Sequence, residues 1–476
     1  MQRYEQLRKN FENAGQGHVF KYWDELSEPQ REHLLMQLEE TDLAEIGHLN
    51  KTLLFANKTA SQVDFSKLEP APYIPSAPDK EADPKWLEAK RAGEDAIRSG
   101  KLATFVVAGG QGTRLGYDAP KGTLPVSPVT GKTLFQIFAE KIRNAQEKYG
   151  VEIPFMVMTS IINHEQICGF FKKNGYFGLN PDKVIFFKQG FIPSVDKNGK
   201  IILSGKDEIA LAPNGHGGCL RAMVRSGATA KLKKLGVEYI SYFQVDNPLV
   251  NIIDPFFLGF HILEKSDMSS KMIPKAYPLE RVGHFCIYEG KLCVIEYSDL
   301  PPSYQEMLDE SGKLKFIAGS VAIHILNVDF VEAKGGDDSS IKLPFHVAFK
   351  KVPYLDESGN VVKPSTPNGY KYEMFVFDAL ESASNPLVLE GLRGDEFSAV
   401  KNKEGVDSPA TCKRDQKRQF AKWLEAAGVN LEKDADGTPI FDIEISPLFA
   451  TNQADFVKKW NALEKKPEIK DGLFVE

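Results

Sequence analysis

Cysteine is scarce: five are spread over 476 residues, at Cys168, Cys219, Cys286, Cys293 and Cys412, and none forms a C-x-x-C pair. That scatter excludes a zinc ribbon and a disulfide framework, and it leads us to expect reduced, mostly buried thiols. The nine histidines form no H-E-x-x-H or similar ligand pattern. Basic excess is lacking too: 59 Lys and Arg face 65 Asp and Glu, for a formal charge of −6 and a pI near 6.0. With no surplus cations to neutralise a phosphate backbone, no nucleic-acid or anionic-membrane partner is expected. Apolar runs stay well short of the roughly 18 residues that mark a membrane helix. The opening MQRYEQLRKN is not a signal peptide. These absences predict a soluble cytoplasmic protein, and the mixed surface charge is compatible with a monomer. Internal repeats and low-complexity tracts are missing as well.

What stands out instead is Leu102 to Gly122, LATFVVAGGQGTRLGYDAPKG. The uncharged run Leu102–Ala108 predicts a strand buried on both faces, as in a parallel sheet. Gly109, Gly110, Gln111 and Gly112 follow at once. Without Cβ atoms such a turn lets backbone N–H groups approach phosphate oxygens. Arg114 and Lys121 flank it, so a polyanion placed there meets two cations. The dinucleotide fingerprint G-x-G-x-x-G fails because Leu115 stands where its last glycine belongs. A P-loop fails for want of Gly-Lys-Ser/Thr. The run Gly110-Gln111-Gly112-Thr113-Arg114 through Pro120-Lys121 resembles instead the glycine-rich signature of sugar nucleotidyltransferases.

Residues 1 to about 58 have helical periodicity and are expected to pack on the catalytic core. Lys67–Pro78 is proline-rich and predicts an extended linker over the surface, and Trp86–Ser99 predicts a helix stopped at Gly100. Leu102–Ala108, Phe155–Thr159, Val184–Phe187 and Tyr239–Val245 then alternate with helical patterns, as parallel strands do. In open α/β sheets ligands lie beyond the carboxyl ends of the strands. The residues following these four runs are therefore expected to converge on one crevice. Met272–Ala276, His284–Glu289 and Leu292–Tyr297 predict antiparallel strands, the last two joined at Gly290-Lys291. Phe316–Ile325 is a further apolar run, Phe345–Val352 and Asn360–Lys363 predict a ribbon, and Tyr370–Leu380 predicts a helix. From Ser384 a smaller unit is expected, with a strand at Pro386–Leu389 and helices at Lys413–Ala427 and Ala454–Leu463.

Several residues have the chemistry for a site. Ala212-Pro213-Asn214-Gly215-His216-Gly217-Gly218 exposes backbone donors and acceptors that can read the edge of a base. Within it His216 reads as a loop or packing histidine rather than a general base. Asp246, at the mouth of the sheet beside a phosphate loop, is a natural Mg²⁺ ligand, the alternative being a cap on the turn at Asn247-Pro248. Glu296-Tyr297 and Asn327 end strands with groups suited to sugar hydroxyls. Lys401 taken alone reads as a surface lysine.

The chain resembles the eukaryotic UDP-N-acetylglucosamine pyrophosphorylases over nearly its whole length. The resemblance is carried by AGGQGTRLG with PKG, KTLFQI, FFKKNGYFGL, PNGHGG, QVDNPLV, VIEYSDL, MFVFDAL and FSAVKN in that order. It implies an α/β architecture: a Rossmann-like nucleotidyltransferase core with a mixed, mostly parallel central sheet (101–383), a helical N-terminal region and linker (1–100) and a small α+β C-terminal domain (384–476). It implies synthesis of UDP-N-acetylglucosamine and pyrophosphate from UTP and N-acetylglucosamine 1-phosphate, with Mg²⁺. By position, Ala108, Gly109, Gly110, Gln111 and Gly112 would hold uridine and phosphates, with Arg114, Lys121 and Lys401 on the phosphates. Gln189, Asn214 and Gly215 would address the uracil, and Asp246 the metal and nucleotide. Gly283, Glu296, Tyr297 and Asn327 would line the sugar site, with Phe375 and Phe377 near the N-acetyl group. One departure is His216, where such enzymes usually carry Asn. The rival readings are a UTP–glucose-1-phosphate uridylyltransferase, a non-catalytic UDP-sugar sensor and, disfavoured by the failed fingerprint, a dinucleotide-dependent dehydrogenase.

Overall fold

Uncharged strands with helices between them must be covered on both faces, and the burial of the central strands shows that they are. The computed structural model describes residues 2–56, 63–77, 79–80, 82–336 and 343–476. Residues 57–58 of the expected N-terminal helices and Pro78 of the expected linker lie outside the described residues. The chain forms two compact units interleaved in sequence. One comprises Met1–Phe65, Gln189–Cys219 and Ser340–Asp378, the other Ser66–Lys188, Leu220–Ser339 and Ala379–Glu476.

The second unit is built on a ten-stranded mixed sheet. In chain order its strands are Leu68–Pro70 (β1), Leu102–Val107 (β2), Phe155–Thr159 (β3), Val184–Lys188 (β4) and Tyr239–Gln244 (β5). Met268–Pro274 (β6), Gly283–Tyr288 (β7), Lys291–Ile295 (β8), Ala318–Asn327 (β9) and Leu387–Glu390 (β10) complete it. The run β5-β2-β3-β4 is parallel, as the alternating pattern predicts. Val107 pairs with both Met158 and Gln244, and Thr159 pairs with Lys188, so the four strands end along one edge. Beyond β5 the sheet turns antiparallel through β9, β7 and β8. Helices Pro84–Arg98, Leu134–Tyr149 and Pro255–Leu263 bury Trp86, Phe135, Phe138 and Phe260 in its core. Near the C-terminus, helices Pro409–Ala426 and Gln453–Ala462 enclose a separate cluster around Trp423, Phe456 and Trp460.

In the first unit, helices Gln2–Asn13 and Glu28–Glu39 bury Phe11, Leu34 and Leu38 against Ile192, Val195, Ile201 and Tyr372. Ser27 and Gln30 cap the second helix reciprocally.

Four local expectations are corrected. Leu68 and Ala71 are buried, β1 pairs with β7, and Ile74 N–H donates to Val388 O, so the proline-rich stretch is laced into the sheet rather than laid over it. His346–Lys350 pairs with Gly369–Glu373, and Tyr354–Leu355 takes Val361–Val362, so the expected ribbon divides between two partners. Tyr370–Leu380 is a strand through Glu373 followed by a tight 3₁₀ turn; the alternating aromatics of Tyr370 and Tyr372 belong to a period of two. The strand expected to open the C-terminal unit is β10, parallel to β6 within the large sheet.

Among the described residues no disulfide joins any of the five cysteines, and four of them are buried. Among the described residues no helix is long and apolar enough to cross a membrane.

Candidate active site

β2 delivers the chain at Ala108, whose N–H donates to Met158 O at 2.8 Å. The Ala108 carbonyl accepts from Asn163 Nδ2 at 3.1 Å, a fully buried side chain that motif reading passed over. Beyond it the glycine loop closes on itself. Gly112 N–H reaches Ala119 O at 2.9 Å, Lys121 N–H reaches Gly110 O at 3.2 Å, and Gln111 bridges Pro120. A Cβ at Gly112 would fall 2.6 Å from Tyr117 O, so the loop can close this tightly only around glycine. Gly109 to Gly112 therefore lie on a fixed turn at the carboxyl edge of β2. Arg114 is exposed on the turn Thr113–Leu115.

The same closure carries Lys121 to Asp246, two residues past the end of β5. Nζ stands 3.9 Å from Asp246 Oδ2, both side chains being about one-fifth exposed (18% and 19%). Lys401 Nζ lies 3.8 Å from Asp407 Oδ2 and 5.5 Å from the centre of the Phe397 ring. Burial pushes the Asp407 carboxyl above its ordinary range; Lys401 opposes the rise and the charge of Asp246 adds to it. Lys121, Asp246, Lys401 and Asp407 thus share one electrostatic neighbourhood.

The strand register sorts the expected sugar residues. Gly283 pairs with Ser320, and a Cβ on Gly283 would stand 3.4 Å from Glu296 Oε1 and 3.6 Å from Ser320 Cβ. Because His324 faces Tyr242 and Asn327 faces Tyr239, β9 runs from the carboxyl edge of β5 back to its start. Ser320 is therefore on the edge of Asp246, and Asn327 is on the opposite one, on the order of 20 Å away at about 3.3 Å per residue. Asn327 is also occupied structurally: its Oδ1 accepts from His261 Nε2 at 2.9 Å and its Nδ2 donates to Ser266 O at 3.0 Å. We correct the assignment accordingly: Ser320, not Asn327, is the polar neighbour of Gly283 and Glu296. Tyr297 is 40% exposed, its carbonyl held by Gln305 Nε2 at 2.9 Å.

The base-reading candidates lie in the first unit. Gln189 Nε2 donates to Gly215 O at 2.7 Å. Asn214 N–H donates to Gly190 O at 3.1 Å, while Met374 N–H donates to Asn214 O and Gly217 N–H to Met374 O, each at 2.8 Å. This short ladder ties 214–217 to 374–376. Gly215 has φ +80°, and a Cβ there would stand 2.2 Å from Met374 O. Asn214 is 5% exposed, yet its Oδ1 has no hydrogen-bond partner. Val376 N–H donates to His216 Nδ1 at 3.2 Å, and the imidazole lies 5.4 Å from the Phe375 ring and 5.6 Å from Phe377. Burial pushes His216 down to about 4. It is a neutral packing group, as its place in the loop implied. Phe375 and Phe377 stack at 5.1 Å, and the His346 ring, held by Asp378 at 2.8 Å, lies 4.7 Å from that of Phe375.

Residues 48–406 match the family described as UTP–glucose-1-phosphate uridylyltransferase. A Xenopus tropicalis protein named UDP-N-acetylhexosamine pyrophosphorylase-like protein 1 is 37% identical over 450 residues, covering 92% of this chain and 88% of its own. The UDP-N-acetylglucosamine pyrophosphorylase of Saccharomyces cerevisiae is 34% identical over 438 residues, covering 88% and 90%. Among solved structures, the uridine diphosphate N-acetylglucosamine pyrophosphorylase of Trypanosoma brucei, crystallised with an inhibitor, superposes with a TM-score of 0.81 at 27% identity, covering 100% of this chain and 98% of that one.

Proposed function

The chain belongs to the UDP-N-acetylhexosamine pyrophosphorylases, within the family described as UTP–glucose-1-phosphate uridylyltransferases, and we propose that it joins UTP and N-acetylglucosamine 1-phosphate to give UDP-N-acetylglucosamine and pyrophosphate. The observation that carries the reading is the pairing of Lys121 with Asp246 beside a self-closed glycine loop. A phosphate oxygen of the sugar 1-phosphate attacks the α-phosphorus of UTP in line. The bond to the β-phosphate oxygen breaks, and pyrophosphate carries the electron pair away. The attacking phosphate is already anionic, so neither a general base nor a covalent enzyme intermediate is required. The protein's task is to hold two polyanions end to end and neutralise them.

In this reading the amides of Gly109 to Gly112 cradle phosphates, and Arg114, Lys121 and Lys401 neutralise them. Gln189, Asn214 and Gly215 address the uracil. Gly283, Ser320, Glu296 and Tyr297, all in the second unit, face the sugar, while Phe375 and Phe377 form an apolar ring pair within the first. Among the described residues no three His, Cys, Asp or Glu side chains gather into a metal cage. A lone carboxylate such as Asp246 fits Mg²⁺, whose octahedron is otherwise filled by phosphate oxygens and water. Bound there, Mg²⁺ would add charge neutralisation on the phosphates. The same reading puts the enzyme in the cytoplasm.

The test is pyrophosphate release from UTP with each sugar phosphate. We expect kcat/KM for N-acetylglucosamine 1-phosphate to exceed that for glucose 1-phosphate by roughly 10-fold or more, the scale on which a pocket discriminates one small apolar group. A preference for glucose 1-phosphate would move the enzyme to the glucose branch. UDP-sugar binding without any pyrophosphate release would make it a sensor.

A further inference from the structure

We infer that Asn247 is a positioning residue, a clasp that joins the turn after β5 to the segment Glu396–Lys401 and so holds Lys401 at the phosphates. The inference rests on the reading of Lys401 as a phosphate-neutralising cation.

Asn247 is 4% exposed, and its side-chain amide makes three hydrogen bonds. Nδ2 donates to Glu396 O at 2.7 Å, while Oδ1 accepts from Ser398 N–H at 3.0 Å and from Leu249 N–H at 3.2 Å. The backbone beside it adds another link, Val400 N–H to Asp246 O at 2.8 Å. The Leu249 bond shapes the turn itself; the other three join the residues that carry Asp246 to those that carry Lys401. Only an amide offers a donor and an acceptor in this arrangement; a carboxylate would set oxygen against the Glu396 carbonyl.

A second anchor fixes the far end of the segment. The Glu396 carboxylate meets the ammonium of Lys271, which is itself 2.6 Å from Asp254 Oδ2, and both Lys271 side-chain contacts are buried. Burial pushes that ammonium down, but the two carboxylates outweigh it and keep Lys271 charged. Asp254 in turn caps helix Pro255–Leu263 through Phe256 N–H at 2.9 Å. Glu396 is thus tied to a rigid helix and Ser398 and Val400 to the β5 turn. Lys401 follows directly, its own N–H held by Asp407 O at 2.7 Å. A cation on a segment pinned this way keeps its place without a bound ligand, and a small displacement costs rate rather than binding.

The experiment is a double-mutant cycle with Asn247→Ala, Lys401→Ala and the pair, in the full chain, read as kcat and as KM for UTP, with thermal unfolding followed in parallel. Asn247→Ala should lower kcat by about 10-fold or more while KM for UTP moves less than about 3-fold, and the double variant should be no slower than Lys401→Ala alone. Should Asn247→Ala not fold, Asn247→Ser, too short to span both bonds, takes its place with the same expectation. Multiplying defects, or a lowered unfolding temperature with unchanged kcat, would overturn the clasp alone. Unchanged turnover in Lys401→Ala would remove the cation from the catalytic set and the clasp with it, leaving the overall reaction to stand on the pyrophosphate assay.

Discussion

The edge of the large sheet around Asp246 and the loop pair 214–217 with 374–377 work by different means. The first is electrostatic: Lys121, Arg114 and Lys401 are set on turns with the carboxylates of Asp246 and Asp407, with few bonds between their charged ends. The second is almost free of charge. It is a ladder of main-chain hydrogen bonds closed by a neutral imidazole and two phenyl rings. Phosphates demand charge at a position, whereas a flat base and an acyl group demand shape. The two regions should therefore fail differently when altered, the first in rate and the second in affinity.

The largest effect belongs to the charged region. Lys121→Ala or Arg114→Ala should lower kcat by about 10²–10³, about 2.7–4 kcal/mol of lost charge stabilisation, by analogy with removing one oxyanion donor. Steady-state kinetics at saturating UTP and sugar phosphate measure it. Near-normal turnover in Lys121→Ala would break the comparison at its stronger end, because the pairing with Asp246 would then be structural.

That charged region was also the more legible in sequence. Phosphate chemistry confines glycines and cations to a short contiguous stretch, so Gly109 to Lys121 could be read in one pass, and the four uncharged runs gave the parallel strands. What depended on register was hidden. Asn327 ends an apolar strand just as a ligand residue would, yet the antiparallel run of β9 puts it at the wrong edge and brings Ser320, an unremarked serine, beside Gly283. Asn247 and Asn163 were silent because their partners lie far away in the chain. Tyr370–Leu380 misled because aromatic residues satisfy both periods over so short a window, and the partner strand that decides between them is 20 or so residues upstream.

The backbone-built region should answer next. Gly215→Ala puts a methyl group 2.2 Å from a main-chain oxygen, at a φ of +80° that L residues disfavour by roughly 1–2 kcal/mol. The obstructing atom is backbone, so the strands of the ladder must part. KM for UTP should rise by about 10-fold or more, with a smaller change in kcat. An unchanged KM would mean that the 214–217 loop does not read the nucleotide.

The smallest effect sharpens the contrast without touching phosphate chemistry. His216 titrates near 6.5 in an unfolded chain and at about 4 in place, because burial disfavours its charged form. Between those values the unfolded chain binds the extra proton, so stability is full above pH 6.5 and is lost as pH falls towards 4. Replacing it by Asn, which does not titrate, should remove that dependence. Between pH 7 and 5.5 the native chain should lose about 1 kcal/mol more stability than His216→Asn, allowing for partial exposure of the ring. Denaturant unfolding at the two pH values measures it. Equal losses would mean that the imidazole accepts a proton in place. The loop pair would then carry charge after all, and its contrast with the Asp246 edge would be one of degree.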